Sequence, residues 1–234
     1  MSATVHVWTI ELDEDPATAS ALLAHLSGEE RVRASRFTTT RLRLRFIVAH
    51  GALRSILSRY TGYLPGQLPL SASPTGKPFV PGARVAFNLS HSDGLAICAV
   101  TAEGEIGADV ERVRPIDDAD LLVERYFAAD EQRQYRSLDA RDRVTAFYSI
   151  WTRKEAFVKA TGAGLGRELQ SFEVEVSPEA TQPRLSSRTE LPGRWSLRAF
   201  LPRPGYIAAV ALDRDIEALE LFDWSPRAAG CPTA

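Results

Sequence analysis

The sequence predicts an α+β protein of two pseudo-duplicated lobes, each a small, mostly antiparallel sheet packed against one long helix. Three observations predict it. RFIVAHGALRSILSRYTG at 45–62 lies on TAFYSIWTRKEAFVKATG at 145–162 without a gap, placing Arg54 on Lys154, Arg59 on Lys159 and Thr61-Gly62 on Thr161-Gly162. Each helix is followed by a pair of strands whose second members, GLAICAV and GYIAAVA, are alike. The 234 residues, 44% hydrophobic and 25% charged, suit one large domain or two small lobes sharing a core. Chance likeness between two amphipathic helices is the plainer alternative, but the repeated order of helix then hairpin favours two related lobes.

Taken in order, VHVWTI at 5–10 alternates and is rich in branched residues, as a strand is. Helical patterns cover 17–26, 29–37 and, most strongly, Thr40 to Tyr60, stopping at Thr61-Gly62 where glycine suits a helix end. A Pro- and Gly-rich connection fills 64–82. Strands are expected at 85–90, 95–101 and 105–111, the first two joined by an Asp93-Gly94 hairpin turn. Helices follow at 118–127, 129–138 and 141–161, then strands at 171–176, 195–201 and 206–212. The expected division is an N-terminal lobe over 1–112, a C-terminal lobe over 113–222 and a loose tail over 223–234. The active site is expected at the lobe interface.

Composition excludes several classes. No stretch approaches the ~18 apolar residues of a membrane helix, and MSATVHVWTIELDED has no basic region followed by an apolar run. A cytoplasmic chain with no membrane partner is expected. A net charge of −2 argues against nucleic acid as a partner. Cys98 lies in the apolar LAICAV and Cys231 near the end, so nothing requires an oxidising compartment. The four histidines are scattered, with no H-x-H, H-E-x-x-H or C-x-x-C, so any metal is expected to be held by oxygen.

Four clusters carry chemistry. In EIGADVE at 105–111, strand periodicity puts Ile106, Ala108 and Val110 on one face and Asp109 with Glu111 on the other, Gly107 leaving space beside them. Adjacent carboxylates need a cation, a proton or solvent, although an isolated D-x-E is more often the wet face of an edge strand. In WTRKEAFVK at 151–159, Trp151, Glu155 and Lys159 share one side of a helix. A surface ion pair is the commoner explanation there; the nearby aromatics place these charges at the rim of a core instead. The first helix has Ser55 where the second has Glu155, so the fold alone does not demand that charge. The following Gly162-Ala163-Gly164-Leu165-Gly166 follows a helix and so is no dinucleotide fingerprint.

In NLSHSDG at 88–94, Ser90, His91 and Ser92 offer donors to anionic oxygens that a hairpin turn does not need. Ser90 and His91 point to opposite faces, which excludes them as nucleophile and base. Finally Arg31, Arg33, Arg36, Arg41, Arg43 and Arg45, with Lys77 in Gly76-Lys77-Pro78, suit a multiply phosphorylated ligand, though solvated helix faces account for most such residues. Three carboxylates on two elements with a lysine, an imidazole and arginines describe a site for Mg²⁺ and phosphates.

FNLSHS (87–92), IGADVE (106–111) and WTRKEAFVKATGAG (151–164), with GKP (76–78) ahead of them and FAADE (127–131) between the last two, resemble the 4′-phosphopantetheinyl transferases of the two-lobed, Sfp-like branch. The resemblance runs from about residue 5 to 212, and the third block meets every fixed position of W-x-x-K-E-A-x-x-K-x-x-G-x-G. It implies transfer of 4′-phosphopantetheine from coenzyme A, as substrate, to a serine of an apo acyl or peptidyl carrier protein, releasing adenosine 3′,5′-bisphosphate. By the same resemblance, Asp109, Glu111 and Glu155 hold Mg²⁺, for which Mn²⁺ is a substitute. Glu155, or a metal-bound water, takes the serine proton, and Lys159 neutralises the departing phosphate. Arg33, Arg45, Lys77, Ser90 and His91 position the nucleotide end and its 3′-phosphate. Arg112, Arg114, Leu121, Leu122 and Arg125 offer a basic and apolar surface to the carrier. Ala108 stands where the family usually has Ile or Val, and Glu30 falls near a position where some relatives carry a basic residue. The alternatives are another metal-dependent phosphoryl enzyme (a phosphohydrolase or nuclease) or a non-catalytic coenzyme A or carrier-binding module. A monomer is expected, because related lobes already bury each other.

Overall fold

The alternating opening segment forms strand β1 (Ser2–Glu11), in which Val5, Val7 and Ile10 are wholly buried. This computed structural model describes residues 2–162, 169–187 and 194–226. Asp15 caps α1 (Pro16–Leu22) by accepting from the Ala17 and Thr18 N–H groups, and a 3₁₀ turn continues it over Leu23–His25. Ser27 and Glu30 close a reciprocal capping box on α2 (Gly28–Ser35). The connection expected over 64–82 carries a 3₁₀ turn (Pro65–Gln67) and a small ladder of β2 (Ser71–Ala72) with β3 (Pro78–Phe79), strands too short to show a period.

Helices α3 (Thr40–Thr61) and α6 (Ala140–Thr161) are each 22 residues long. They end at Gly62 and Gly162, whose φ angles of 75° and 65° lie where a side chain is disfavoured. Between them come β4 (Ala86–Ser92), β5 (Leu95–Thr101), β6 (Ile106–Arg112), α4 (Ala119–Tyr126) and α5 (Ala129–Ser137). Asp93-Gly94 makes the expected two-residue turn between β4 and β5. After α6 lie β7 (Phe172–Val174), β8 (Leu185–Ser187), β9 (Ser196–Phe200), β10 (Tyr206–Leu212) and β11 (Asp215–Asp223).

Two sheets dominate, in the orders β11-β1-β5-β4 and β6-β10-β9. Every pairing in them is antiparallel except β1 with β11. Apolar side chains form three clusters. Trp8, Leu22, Leu57 and Phe87 lie between the first sheet and α1–α3, and Val123, Phe147, Phe157 and Ile207 between the second sheet and α4–α6. Val5, Val7, Ile97, Ile106, Val110 and Val210 pack the sheets against each other. The layers therefore run helix, sheet, sheet, helix. Among the described residues no helix is long and apolar enough to cross a membrane.

Strand β11 corrects the expected division. It belongs by sequence to the segment assigned to the C-terminal lobe, yet it pairs with β1 in the first sheet. Asp223, assigned to the tail, ends this strand, and the buried Trp224 donates its N–H to the Thr9 carbonyl. The strand escaped detection because Asp215, Glu217, Glu220 and Asp223 interrupt its apolar pattern, as they can on a sheet edge. Residues 227–234, with Cys231, lie outside the described residues.

Each long helix carries a buried cation at a matched position, Arg54 on α3 and Lys154 on α6. Arg54 donates to Glu30 at 2.6 Å and to the carbonyls of Pro65 and Leu68. Lys154 lies 2.8 Å from Glu131 and donates to the carbonyls of Leu169 and Phe172. In both cases the carboxylate sits at the start of the preceding helix and the carbonyls lie just beyond the long one. Removing the amine in Lys154→Ala leaves the buried Glu131 carboxylate without its counter-ion and is expected to cost about 3–5 kcal/mol in urea unfolding. The Glu30 pair gives a pH signature. Although burial acts upward, hydrogen bonds from His50 and Ser27 and the Arg54 charge hold Glu30 at about 2, below its usual 4.5. Its contribution is complete above 4.5, falls as the unfolded chain takes up the proton first, and is gone below about 2. Unfolding free energy measured against pH should lose on the order of 3 kcal/mol across that window, and Glu30→Gln should flatten the slope there.

Candidate active site

The two sheets meet along β4 and β6, which are not hydrogen-bonded neighbours in either sheet. Side chains bridge this seam instead. Alternation along β4 turns Asn88, Ser90 and Ser92 toward β6. Asn88 Oδ1 accepts the Ala108 N–H at 2.9 Å, Ser90 donates to Asp109 at 2.9 Å, and Ser92 donates to Glu111 at 2.6 Å. As the strand period requires, Ile106, Ala108 and Val110 are buried between the sheets while Asp109 and Glu111 face the other way.

Gly107 decides what they face. A Cβ there would stand 2.1 Å from the Ala156 carbonyl oxygen and 2.2 Å from the Ala160 nitrogen, so α6 lies directly on the strand. The space beside the carboxylates predicted from the sequence is occupied by helix backbone. This contact sets Glu155 and Lys159 of α6 against Asp109 and Glu111 of β6. Lys159 Nζ is 2.6 Å from Asp109 Oδ1 and 3.0 Å from Ser90 Oγ. Trp151, on the same side of the helix, packs on Phe147 and Tyr126 and fixes the wall below them.

Burial pushes the Asp109 carboxyl up, against the pull of Lys159 and Ser90. Glu155 is pushed up by burial and then by the Asp109 charge, Glu111 by burial and Asp109 despite the Ser92 hydrogen bond. Desolvation and the Lys159 charge lower His91. These are three mutually repelling carboxyls with one ammonium among them.

Two cavities open onto the cluster. One, of about 300 Å³, is lined by Lys77, Asn88, Glu155, Lys159 and Gly162. The other, of about 410 Å³, is lined by Arg45, Phe46, His50, His91 and Glu111. A further cavity of about 450 Å³ lies against α5 and the β7–β8 hairpin and shares no residue with the cluster.

Among the described residues no three of His, Cys, Asp and Glu stand as a ready-made metal-holding group, and Lys159 serves as the counter-ion of Asp109. The donor set still fits a hard divalent cation. Among the described residues Asp109 Oδ2 is buried with no hydrogen-bond partner, and carboxylates raised by burial and by one another are the oxygen ligands that such an ion relieves.

The sequence-predicted residues do not all gather at one point. Asp109, Glu111, Glu155, Lys159 and Ser90 form the cluster, and Lys77 reaches its edge, donating to Glu105 and to the Ala160 carbonyl. His91 lies on the other cavity. Arg45 lines that cavity but is committed, donating to Asp13 at 2.7 Å through both Nε and Nη2 and to Asp93 at 2.9 Å. Arg33 lies 5.3 Å over the Phe46 ring. Gly164 and Gly166 lie outside the described residues. Sequence reading missed Asp13, Asp93 and His50, whose partners are 19 or more residues away and leave no local pattern.

A family model of the 4′-phosphopantetheinyl transferase superfamily matches residues 105–211. The chain is 38% identical over 232 residues to the 4′-phosphopantetheinyl transferase HetI of a Nostoc species, covering 97% of this chain and 92% of that one. It is 30% identical to the 4′-phosphopantetheinyl transferase Sfp of Bacillus subtilis over 80% of this chain and 82% of that one. With AcpT of Salmonella typhimurium the identity is 38% over 47% of this chain and 56% of the other. The chain belongs to the 4′-phosphopantetheinyl transferase superfamily, a family of enzymes that move the phosphopantetheine arm of coenzyme A to carrier proteins.

Because the contact at Gly107 brings the helix onto the strand, Gly107→Ala should force them apart. Overpacking of this kind costs about 1–3 kcal/mol, and a displaced Glu155 should lower transferase activity at least about tenfold. Thermal melting and transfer rates measured on the same preparation check both.

Proposed function

We propose that this chain transfers 4′-phosphopantetheine from coenzyme A to a serine hydroxyl of an apo acyl or peptidyl carrier protein, with Mg²⁺ held by Asp109, Glu111 and Glu155. The observation that carries the reading is the buried, partnerless Oδ2 of Asp109 beside two further carboxyls and Lys159. When bound, the ion offsets charge on the diphosphate as the phosphoanhydride breaks. Glu155, on the wall of the cavity it shares with Lys159, accepts the serine proton. The serine oxygen forms its bond to the pantetheine-bearing phosphorus while the bond from that phosphorus to the adenylate side breaks. Lys159 neutralises the departing adenosine 3′,5′-bisphosphate. Ser90 holds Lys159 and Asp109 in register, and Lys77, His91 and Arg33 receive the nucleotide end. Arg45 enters this reading as the wall of the nucleotide cavity, since two carboxylates already hold its guanidinium.

The matched cations Arg54 and Lys154, each with its carboxylate and two carbonyls, support a duplication relating residues 1–112 to 113–222, with β11 as a later crossing strand. The carrier is proposed to dock beside α4, where Leu121 is exposed. We propose further that the enzyme works in the cytoplasm as a monomer, without membrane or nucleic acid, its mass in solution being the check.

Intact-mass analysis of a panel of apo carriers after incubation with coenzyme A and Mg²⁺ tests the central claim. Gain of one phosphopantetheine arm supports it; release of nucleotide without carrier modification overturns it in favour of a phosphohydrolase. Glu155→Gln should lower transfer by at least about a hundredfold with an unchanged melting curve. Chelation with EDTA should abolish transfer, with Mg²⁺ or Mn²⁺ restoring it; full activity in excess EDTA would sink the metal assignment.

A further inference from the structure

We propose that His50, oriented by Glu30, determines donor specificity by giving a hydrogen bond from Nε2 to the 3′-phosphate of coenzyme A. The inference rests on coenzyme A being the donor. His50 lies on α3 and lines the cavity of about 410 Å³ that also holds His91 and reaches Glu111 of the carboxylate cluster. Its ring is fixed on two sides, stacked on Phe46 at 4.1 Å and bonded through Nδ1 to Glu30 Oε1 at 2.9 Å. The two ring nitrogens lie on opposite flanks of an imidazole, so the carboxylate leaves Nε2 as the one open to the cavity. Among the described residues Nε2 has no hydrogen-bond partner.

Glu30, which stands just before the arginine run, does not repel an anion here. One oxygen is taken by His50 and the other by Arg54 at 2.6 Å and the Ser27 N–H at 2.8 Å. The cluster is one carboxylate between two bases. With the imidazole protonated it carries a net positive charge at the cavity wall, and an incoming phosphate favours that form. The other cations of this wall are less free. Arg45 is spent on Asp13 and Asp93, and Arg41 also pairs with Asp13. Arg33 also lies against the Phe46 ring, 5.3 Å from its centre. Glu30 is accordingly a positioning residue, and His50 the group that touches the ligand.

Calorimetric titration with adenosine 3′,5′-bisphosphate and with adenosine 5′-monophosphate separates a phosphate contact from a structural effect. In His50→Gln the bisphosphate should bind about tenfold more weakly while the monophosphate changes less than about twofold, the size of one charge-assisted hydrogen bond. In transfer assays the same loss should fall in KM for coenzyme A, little in kcat at saturation, and be absent with dephospho-coenzyme A. His50→Lys, which restores a cation, should recover the preference; it also serves should the glutamine variant melt early. Equal weakening of both nucleotides, no weakening, or a lysine variant without preference would each overturn the proposal. If the wild-type protein discriminates the nucleotides through His50 yet modifies no carrier, the donor reading falls and this contact stands.

Discussion

The approach of α6 to β6 at Gly107 is the constraint on which the site depends. A side chain there would force strand and helix apart, since its obstacles are backbone atoms that cannot rotate away. Only because the helix lies so close do a carboxylate and an ammonium from α6 reach two carboxylates from β6. The same closeness excludes water, and that exclusion raises the carboxyls and makes a cation's arrival favourable. Packing and electrostatics are one arrangement here.

What keeps that helix in place is a buried ion pair one residue away. Lys154 is wholly buried against Glu131 and two carbonyls, while Glu155 beside it faces the site. Adjacent helical residues point about 100° apart, so anchoring one aims the other. The first long helix has the same anchor in Arg54, but Ser55 follows it and turns inward to the Gly51 carbonyl and His25. The two long helices thus share an anchor and differ in the residue after it, a hydroxyl in α3 and a carboxylate in α6.

Much of this was legible because it is local. Period two in IGADVE separated the buried face from the acidic one, period 3.6 in WTRKEAFVK aligned Trp151, Glu155 and Lys159, and terminal glycines marked both long helices. Asn88-x-Ser90-x-Ser92 was readable as a polar row, but not that it would bridge two sheets in place of a backbone ladder. Strand β11 was illegible for a different reason. Its pairing with β1 spans over 200 residues, and its outer residues are acidic, so neither period nor composition marked it. The arginine run was legible as cations, but not the distant carboxylates, Asp13 and Asp93, that pair with Arg41 and Arg45.

Those carboxylates have a physical sense in a transferase. The nucleotide leaves the site as a bisphosphate, more highly charged at its freed end than in the donor, so a wall of unpaired arginines would hold product more tightly than substrate. Pairing Arg45 with Asp13 and Asp93 keeps its planar side chain as a rigid wall while removing most of its pull on phosphate. Under the proposed reading, recognition then falls to groups held by a single carboxylate or none, Lys159 beside Asp109 and the imidazoles along the cavity. Imidazole suits this duty, because it can take a proton when a phosphate arrives and give it up when the phosphate leaves. A site assembled this way discriminates by few contacts and still lets go.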